Sequence, residues 1–206
     1  MEFKKETIIC IAFLLTVFAA LAQEKIISPD GKLVVTVSVS DGKPNYSVDY
    51  NGNNFLKASP LGLNTNLGDY SQGMSLQKVS REQVEDKYSL KTIKQSEVSY
   101  HANKGVFTFA QDTATIFQVS NNDIAFQYKL YPQKDYLSIV VENEATGFVL
   151  PDGTTTFLCP QSGPMGGFAR TSPSYETPYT ADDAMGKNGW GEGYTFPCLF
   201  RNNDKG

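Results

Sequence analysis

The chain carries 22 acidic residues but a single histidine, His101, so proton-transfer or metal chemistry here would have to rest mainly on carboxylates. General acid–base work needs a partner held within hydrogen-bond reach of the reacting group. His101 has no second histidine to work with, and it reads as a surface or strand-edge residue. Ser162 and Ser172 lie near glycines, yet no Gly-x-Ser-x-Gly pattern marks a nucleophile elbow. Asp182-Asp183 lacks the alternating ligand spacing of an EF-hand loop and reads as turn chemistry. Glu176, in Glu176-Thr177-Pro178-Tyr179-Thr180, is by residue type alone an ordinary solvated loop acid. Trp190, the only tryptophan, stands between glycines in Asn188-Gly189-Trp190-Gly191-Glu192. It is either a stacking platform for a ligand or an anchor that buries one large ring to pin a glycine-rich segment, and the residues favour the anchor. Glu192 beside it could contact a ligand; a solvated acid is the plainer reading.

Most of these residues fall in one stretch. From Pro160 to Gly193 the chain is crowded with Gly, Pro, Ser and Thr, and 34 residues pass without a clear strand. A loop of that length in a compact domain is usually functional or mobile. What must hold it in place lies upstream. Leu33, Val35, Val37 and Val39 alternate with Val34, Thr36, Ser38 and Ser40, a period of two that predicts a strand with one buried face. Asp41-Gly42-Lys43-Pro44 breaks it, Tyr46, Val48 and Tyr50 resume it, and Asn51-Gly52 makes the next tight turn. Residues 28–57 therefore read as an antiparallel meander. Further strands are expected at Met74 to Ser80, Ser96 to His101, Val106 to Gln111, Ala114 to Ser120, Ile124 to Leu130, Tyr136 to Glu142 and Tyr194 to Arg201. The polar stretch Arg81 to Lys94 reads as either a helical turn or a long loop. No segment shows helical periodicity, so the fold class expected is all-β, a large antiparallel sandwich.

Composition narrows the partners. The formal charge is −4 with no basic cluster, which argues against nucleic acid and anionic membrane surfaces. Residues 1–22 join Lys4 and Lys5 to the apolar run Thr7 to Leu21 and close on Ala20-Leu21-Ala22. That is the make-up of a cleavable signal peptide, and the run is shorter than the ~20 residues of a membrane-spanning helix. The expectation is an exported, periplasmic or secreted bacterial protein beginning near Gln23, with no membrane span and no lipid anchor, since Cys10 lies inside the apolar run. Export would permit a bridge between Cys159 and Cys198, yet both lie in apolar runs where a thiol also serves as a small hydrophobe. The pairing stays open. Residues 23–206 are read as one β-sandwich domain, incomplete at its C-terminal end because Asn203-Asp204-Lys205-Gly206 is a turn that normally leads to another strand.

Five segments in order carry a resemblance. They are Ser28-Pro29-Asp30-Gly31-Lys32-Leu33, Asp49-Tyr50-Asn51-Gly52, Ser59-Pro60-Leu61-Gly62-Leu63, Ser120 to Tyr128, and Gly189 to Pro197. Together they resemble the N-terminal region of glycoside hydrolase family 97, which includes bacterial exported α-glucosidases and α-galactosidases. The resemblance implies a mutarotase-like β-super-sandwich that precedes a (β/α)8 barrel. It implies a chain truncated before that barrel and so without the catalytic carboxylates, which the family carries there. Glycoside hydrolysis needs two carboxylates at a defined separation, so the segment alone is expected to be inactive and its catalytic residues are none. The resemblance further implies that Glu176 helps ligate a calcium ion shared with the missing barrel, in a Glu-x-x-Tyr-Thr context, although Pro178 stands where relatives often carry an acid. Calcium takes six to eight oxygen ligands, so one glutamate is a fraction of a site. The substrate implied is an oligosaccharide or α-glycoside, with Trp190 and Glu192 as candidate substrate contacts. The alternative from another class is a self-standing exported carbohydrate-binding or adhesion module.

Overall fold

The structure is a computed structural model that describes residues 23–92, 94, 97–132, 135–159, 180–185, 193–194 and 196–202. Among them there are only strands and turns, and the chain forms two compact units, 1–149 and 150–206.

The first unit opens with the meander that the alternation dictates. β1 (Glu24–Ile27), β2 (Leu33–Ser40), β3 (Lys43–Tyr50) and β4 (Asn53–Pro60) pair antiparallel in that order. The turns are made by the residues that tolerate a left-handed backbone: Asp41 and Gly42 lie at φ 51° and 74°, Asn51 and Gly52 at 50° and 76°. Two consecutive positive φ values match the right-handed twist of the strands they join. β5 (Leu63–Thr65) and β6 (Gly68–Asp69) follow, and β5 is flanked on its other side by β11 (Val141–Glu144). The second large sheet is built from β7 (Leu76–Ser89), β8 (Glu97–Phe109), β9 (Thr113–Val119) and β10 (Ile124–Leu130), each antiparallel to the next.

The two four-stranded sheets close on a common core. Val35, Val37 and Tyr46 come from the first; Phe107, Phe117 and Val119 come from the second, and all are buried. Tyr46 bridges the layers, its ring 5.8 Å from Phe117 and 5.9 Å from Phe126, while Phe107 meets Phe117 edge-on at 5.9 Å. Tilted and edge-on rings are the arrangements that the aromatic quadrupole prefers. Each buried ring contributes about 1.5–3 kcal/mol through the area it removes from water. Gly105 lets β1 come close, because a Cβ there would collide with the Cγ1 and Cδ1 of Ile26.

Several boundaries differ from the sequence expectation. The undecided stretch from Arg81 is strand through Ser89, since its register with β8 runs unbroken to Ser89↔Glu97. The strand expected over Tyr136 to Glu142 forms only from Val141, and Leu137 is fully exposed. The strand expected from Tyr194 starts at Leu199.

The second unit holds a small sheet, with β12 (Thr154–Phe157) between β13 (Asp183–Ala184) and β14 (Leu199–Asn202). Asp152-Gly153 turns the chain into β12, and Thr154 fastens that turn through its N–H and its hydroxyl, both donated to the Pro151 carbonyl.

Candidate functional site

Glu176, Trp190 and Glu192 fall, by sequence, in segments flanked by the strands of the second unit's sheet. β12 pairs antiparallel with both neighbours: Thr156 opposite Asp183 on one side, Phe157 opposite Leu199 on the other. The segment 160–179 leaves from the Phe157 end of β12 and returns through Thr180 to β13 at that same end. Its two anchor strands are therefore held about one strand spacing apart, ~4.8 Å. The segment 186–192 joins β13 to β14, which flank β12 on opposite sides, and β14 also begins at the Phe157 end. The first segment is thus anchored at one end of the sheet, while the second starts where β13 finishes, opposite Thr155, and ends at the Phe157 end. Glu176, Trp190 and Glu192 themselves lie outside the described residues, as do Ser162 and Ser172.

The anchor is a polar clamp. Asp182 adopts φ 54°, a left-handed conformation that Asp accepts through its short polar side chain. Its carboxylate receives the Thr155 hydroxyl at 2.9 Å through Oδ1 and the Arg201 guanidinium through Oδ2. Thr156 donates its hydroxyl to the Asp183 carbonyl at 3.2 Å, and the Asp183 carboxylate caps the Ala184 N–H at 2.9 Å. One carboxylate thereby ties the β13 side of the sheet to β14 across β12. Asp182-Asp183 is turn chemistry, as its spacing suggested. Among the described residues no three His, Cys, Asp or Glu side chains form a group that could hold a metal ion.

Among the described residues of the first unit, nothing forms a second centre of that kind. His101 is half exposed on β8, its Nε2 3.7 Å from a Glu85 oxygen, as a strand-surface histidine should be. Tyr46 and Tyr128 are two phenols of the core whose titration is shifted. Burial holds both phenols above their ordinary range, with each other's charge adding to it for Tyr46. Such phenols stay protonated and act structurally: Tyr46 donates to the Gly147 carbonyl at 3.2 Å, and Tyr128 accepts the Gly62 N–H at 2.9 Å. A cavity of about 20 Å³ between Leu61, Met74, Phe109 and Leu130 has room for no more than a water molecule. An open groove of about 510 Å³ runs along Lys25, Arg81, Glu82 and Lys104. Most of its charges are spent in pairs, Arg81 with Glu24 at 2.5 Å and Lys104 with Glu82 at 2.7 Å. No described helix is long and apolar enough to cross a membrane.

Known proteins place this architecture. The family model described as "Glycosyl-hydrolase 97 N-terminal" matches residues 26–206. A crystal structure of a beta-arabinopyranosidase is similar at 45% identity and a TM-score of 0.82, over 86% of this chain and 29% of that one. Two structures of a glycoside hydrolase family 97 enzyme from Pseudoalteromonas sp. strain K8 share the fold. The complex with panose gives 18% identity and a TM-score of 0.72, that with acarbose 19% and 0.72, each over 88% of this chain and 27% of the enzyme. The chain thus spans between a quarter and a third of the length of these relatives.

Proposed function

The chain belongs to the glycosyl-hydrolase 97 family through its N-terminal domain, and from that membership we propose that it serves an exported, calcium-dependent, exo-acting glycosidase. In this reading the sandwich braces a catalytic barrel in the same polypeptide, walls its substrate pocket and supplies no catalytic carboxylate. The family match across residues 26–206 carries the proposal. The clamp at Asp182 supports the role given to Glu176, because it fixes the end of the sheet from which residues 160–179 depart. Glu176 would be one oxygen ligand of a calcium ion, whose role is to hold substrate hydroxyls and offset negative charge. The described residues supply no further cluster for such an ion, so the remaining ligands would belong to the barrel. Trp190 and Glu192 would border the sugar.

Of the two sugars in view, the galacto configuration is favoured. A β-L-arabinopyranoside presents the same ring hydroxyls as an α-D-galactoside and lacks only the exocyclic hydroxymethyl group, and the 45% identical neighbour is a beta-arabinopyranosidase. The test uses the chain without residues 1–22 beside the parent polypeptide. Each is titrated with calcium by calorimetry and assayed on aryl α-glucoside, α-galactoside and β-L-arabinopyranoside. Turnover by the parent alone, with no binding tighter than millimolar by the segment, supports the reading. Hydrolysis or tight calcium binding by the segment alone would sink it, since the chain would then hold a complete site.

A further inference from the structure

The hairpin of β7 and β8 runs past the sandwich. β9 pairs with β8 only from Asn103 to Phe109, so residues 84–89 and 97–102 form a ribbon with no third strand among the described residues. A two-stranded ribbon is marginally stable by itself in water. Its register is unbroken from Val79↔Phe107 to Ser89↔Glu97, so side chains alternate strictly between the two faces. Within the sandwich the core-facing positions of β8 are Gly105, Phe107 and Phe109. In the ribbon the apolar residues are Val84, Tyr88, Val98, Tyr100 and Ala102, in the opposite phase and therefore on the outer face of the sheet; Ala102, at the sandwich end, is already fully buried, and the face opens outward from there to Tyr88. The face continuous with the core carries Gln83, Glu85, Lys87, Ser99 and His101 instead. This inversion means that the apolar strip does not extend the sandwich core. The directly opposed pair Glu82 and Lys104, 2.7 Å apart, closes the strip on the sandwich side. Tyr88 is 44% exposed, and Asp86 is the one charge on this face.

We infer that the outer face of this ribbon docks the remainder of the parent polypeptide, presenting Val84, Tyr88, Val98 and Tyr100 to an apolar surface that brings a lysine or arginine to Asp86. The inference rests on the reading of this chain as one domain of a longer glycosidase. Domains of this kind make up 27–29% of the relatives' chains, so most of such a polypeptide stays tethered beside the ribbon. A tether holds its partner at an effective concentration on the order of millimolar, far above that of a second copy in dilute solution. An amphipathic ribbon whose outer face carries one charge therefore meets its own chain first.

Hydroxyl-radical footprinting tests this on the parent polypeptide and on the 206-residue chain. Tyr88 and Tyr100 are read by mass spectrometry against Tyr50, which is 40% exposed on β3. The expected result is several-fold slower oxidation of Tyr88 in the parent with Tyr50 unchanged. Equal rates in the two would overturn the inference. So would protection within the 206-residue chain that grows with its concentration, because the occupant would then be a second copy. In the parent, Tyr88→Ser with Val98→Ser should expose Tyr100 while Lys87→Ser, on the polar face, should not; no difference between them counts against docking. Aryl glycoside turnover by the same parent separates the two readings. A hydrolytic parent with reactive Tyr88 defeats the docking alone, and a protected Tyr88 without hydrolysis defeats the glycosidase reading alone.

Discussion

Tyr128→Phe removes one oxygen and should destabilise the chain more than the same change at the more deeply buried Tyr46. The Tyr128 hydroxyl accepts the backbone N–H of Gly62 at 2.9 Å and shares a hydrogen bond with the Thr146 hydroxyl at 2.5 Å. It ties β10 to the corner after β4 and to the strand-like stretch that follows β11. Phenylalanine leaves the Gly62 donor without an acceptor, which costs about 1–3 kcal/mol, and gives up a second bond whose partner can turn to water. A loss of about 2 kcal/mol lowers the melting temperature by about 4–8 °C in a domain of this size. Tyr46 is only 3% exposed, but its hydroxyl donates to a carbonyl, that of Gly147, at 3.2 Å. Losing a long bond to a carbonyl costs nearer the ~0.5–1.5 kcal/mol of an ordinary hydrogen bond. Thermal and urea unfolding of the chain without residues 1–22 would compare the two. A Tyr46→Phe loss equal to or above that of Tyr128→Phe would refute the reasoning, since burial and not the orphaned N–H would then set the cost.

The same two phenols predict alkaline sensitivity. Both are held above their ordinary value of 10.0, so the folded chain keeps protons that the unfolded chain releases, and stability should fall as pH rises above 10.0. Urea titrations across that range should show a shallower fall in Tyr128→Phe. At the acid end the Asp69 carboxyl is held below 3.8 by the Ser71 hydroxyl and N–H, so its contribution is present above that value and lost as pH falls below it. Unfolding midpoints of Asp69→Asn should accordingly vary less with pH in the acid range. Gly105→Ala should cost about 1–3 kcal/mol by overpacking against Ile26, and Ile26→Val, which removes Cδ1, should recover part of it in a double-mutant cycle. Gly42→Ala should cost more than Gly52→Ala: both need positive φ, but only at position 42 does a Cβ meet backbone, 3.1 Å from the Gly73 nitrogen.

How far the fold could be read from the residues depended on where each strand's two faces point. β2 and β3 were legible because Val35, Val37, Tyr46 and Val48 are buried against the opposite sheet while their neighbours face outward. β10 was legible over its whole length because half-buried and exposed positions alternate strictly along it, starting from the Asn121-Asn122-Asp123 turn. β7 from Arg81 onward was not, because hydrogen bonding to β8 and not burial makes it a strand, and exposed polar residues leave no period to count. The stretch from Tyr136 failed in the other direction. Leu137 and Val140 look like strand residues by composition, yet they remain exposed, and pairing with β5 begins only at Val141. Hydrophobicity nominates a strand; a partner's backbone decides it.

The functional region shows the same limit more sharply. Asp182 and Arg201 meet only because β12 brings β13 and β14 to its two edges, and Thr155 joins them from 27 residues away. No spacing rule links those three positions, so the sequence disclosed the turn at Asp182-Asp183 and concealed the clamp. Glu176 was nominated by resemblance alone, and that follows from the chemistry assigned to it. A calcium ion asks for six to eight oxygens, and a domain that contributes one of them leaves no cluster, no periodicity and no perturbed neighbour for sequence reasoning to find. What such a domain must contribute instead is position. A short sheet whose Phe157 end fixes both ends of the segment 160–179, locked by a carboxylate that joins three strands, would meet that requirement.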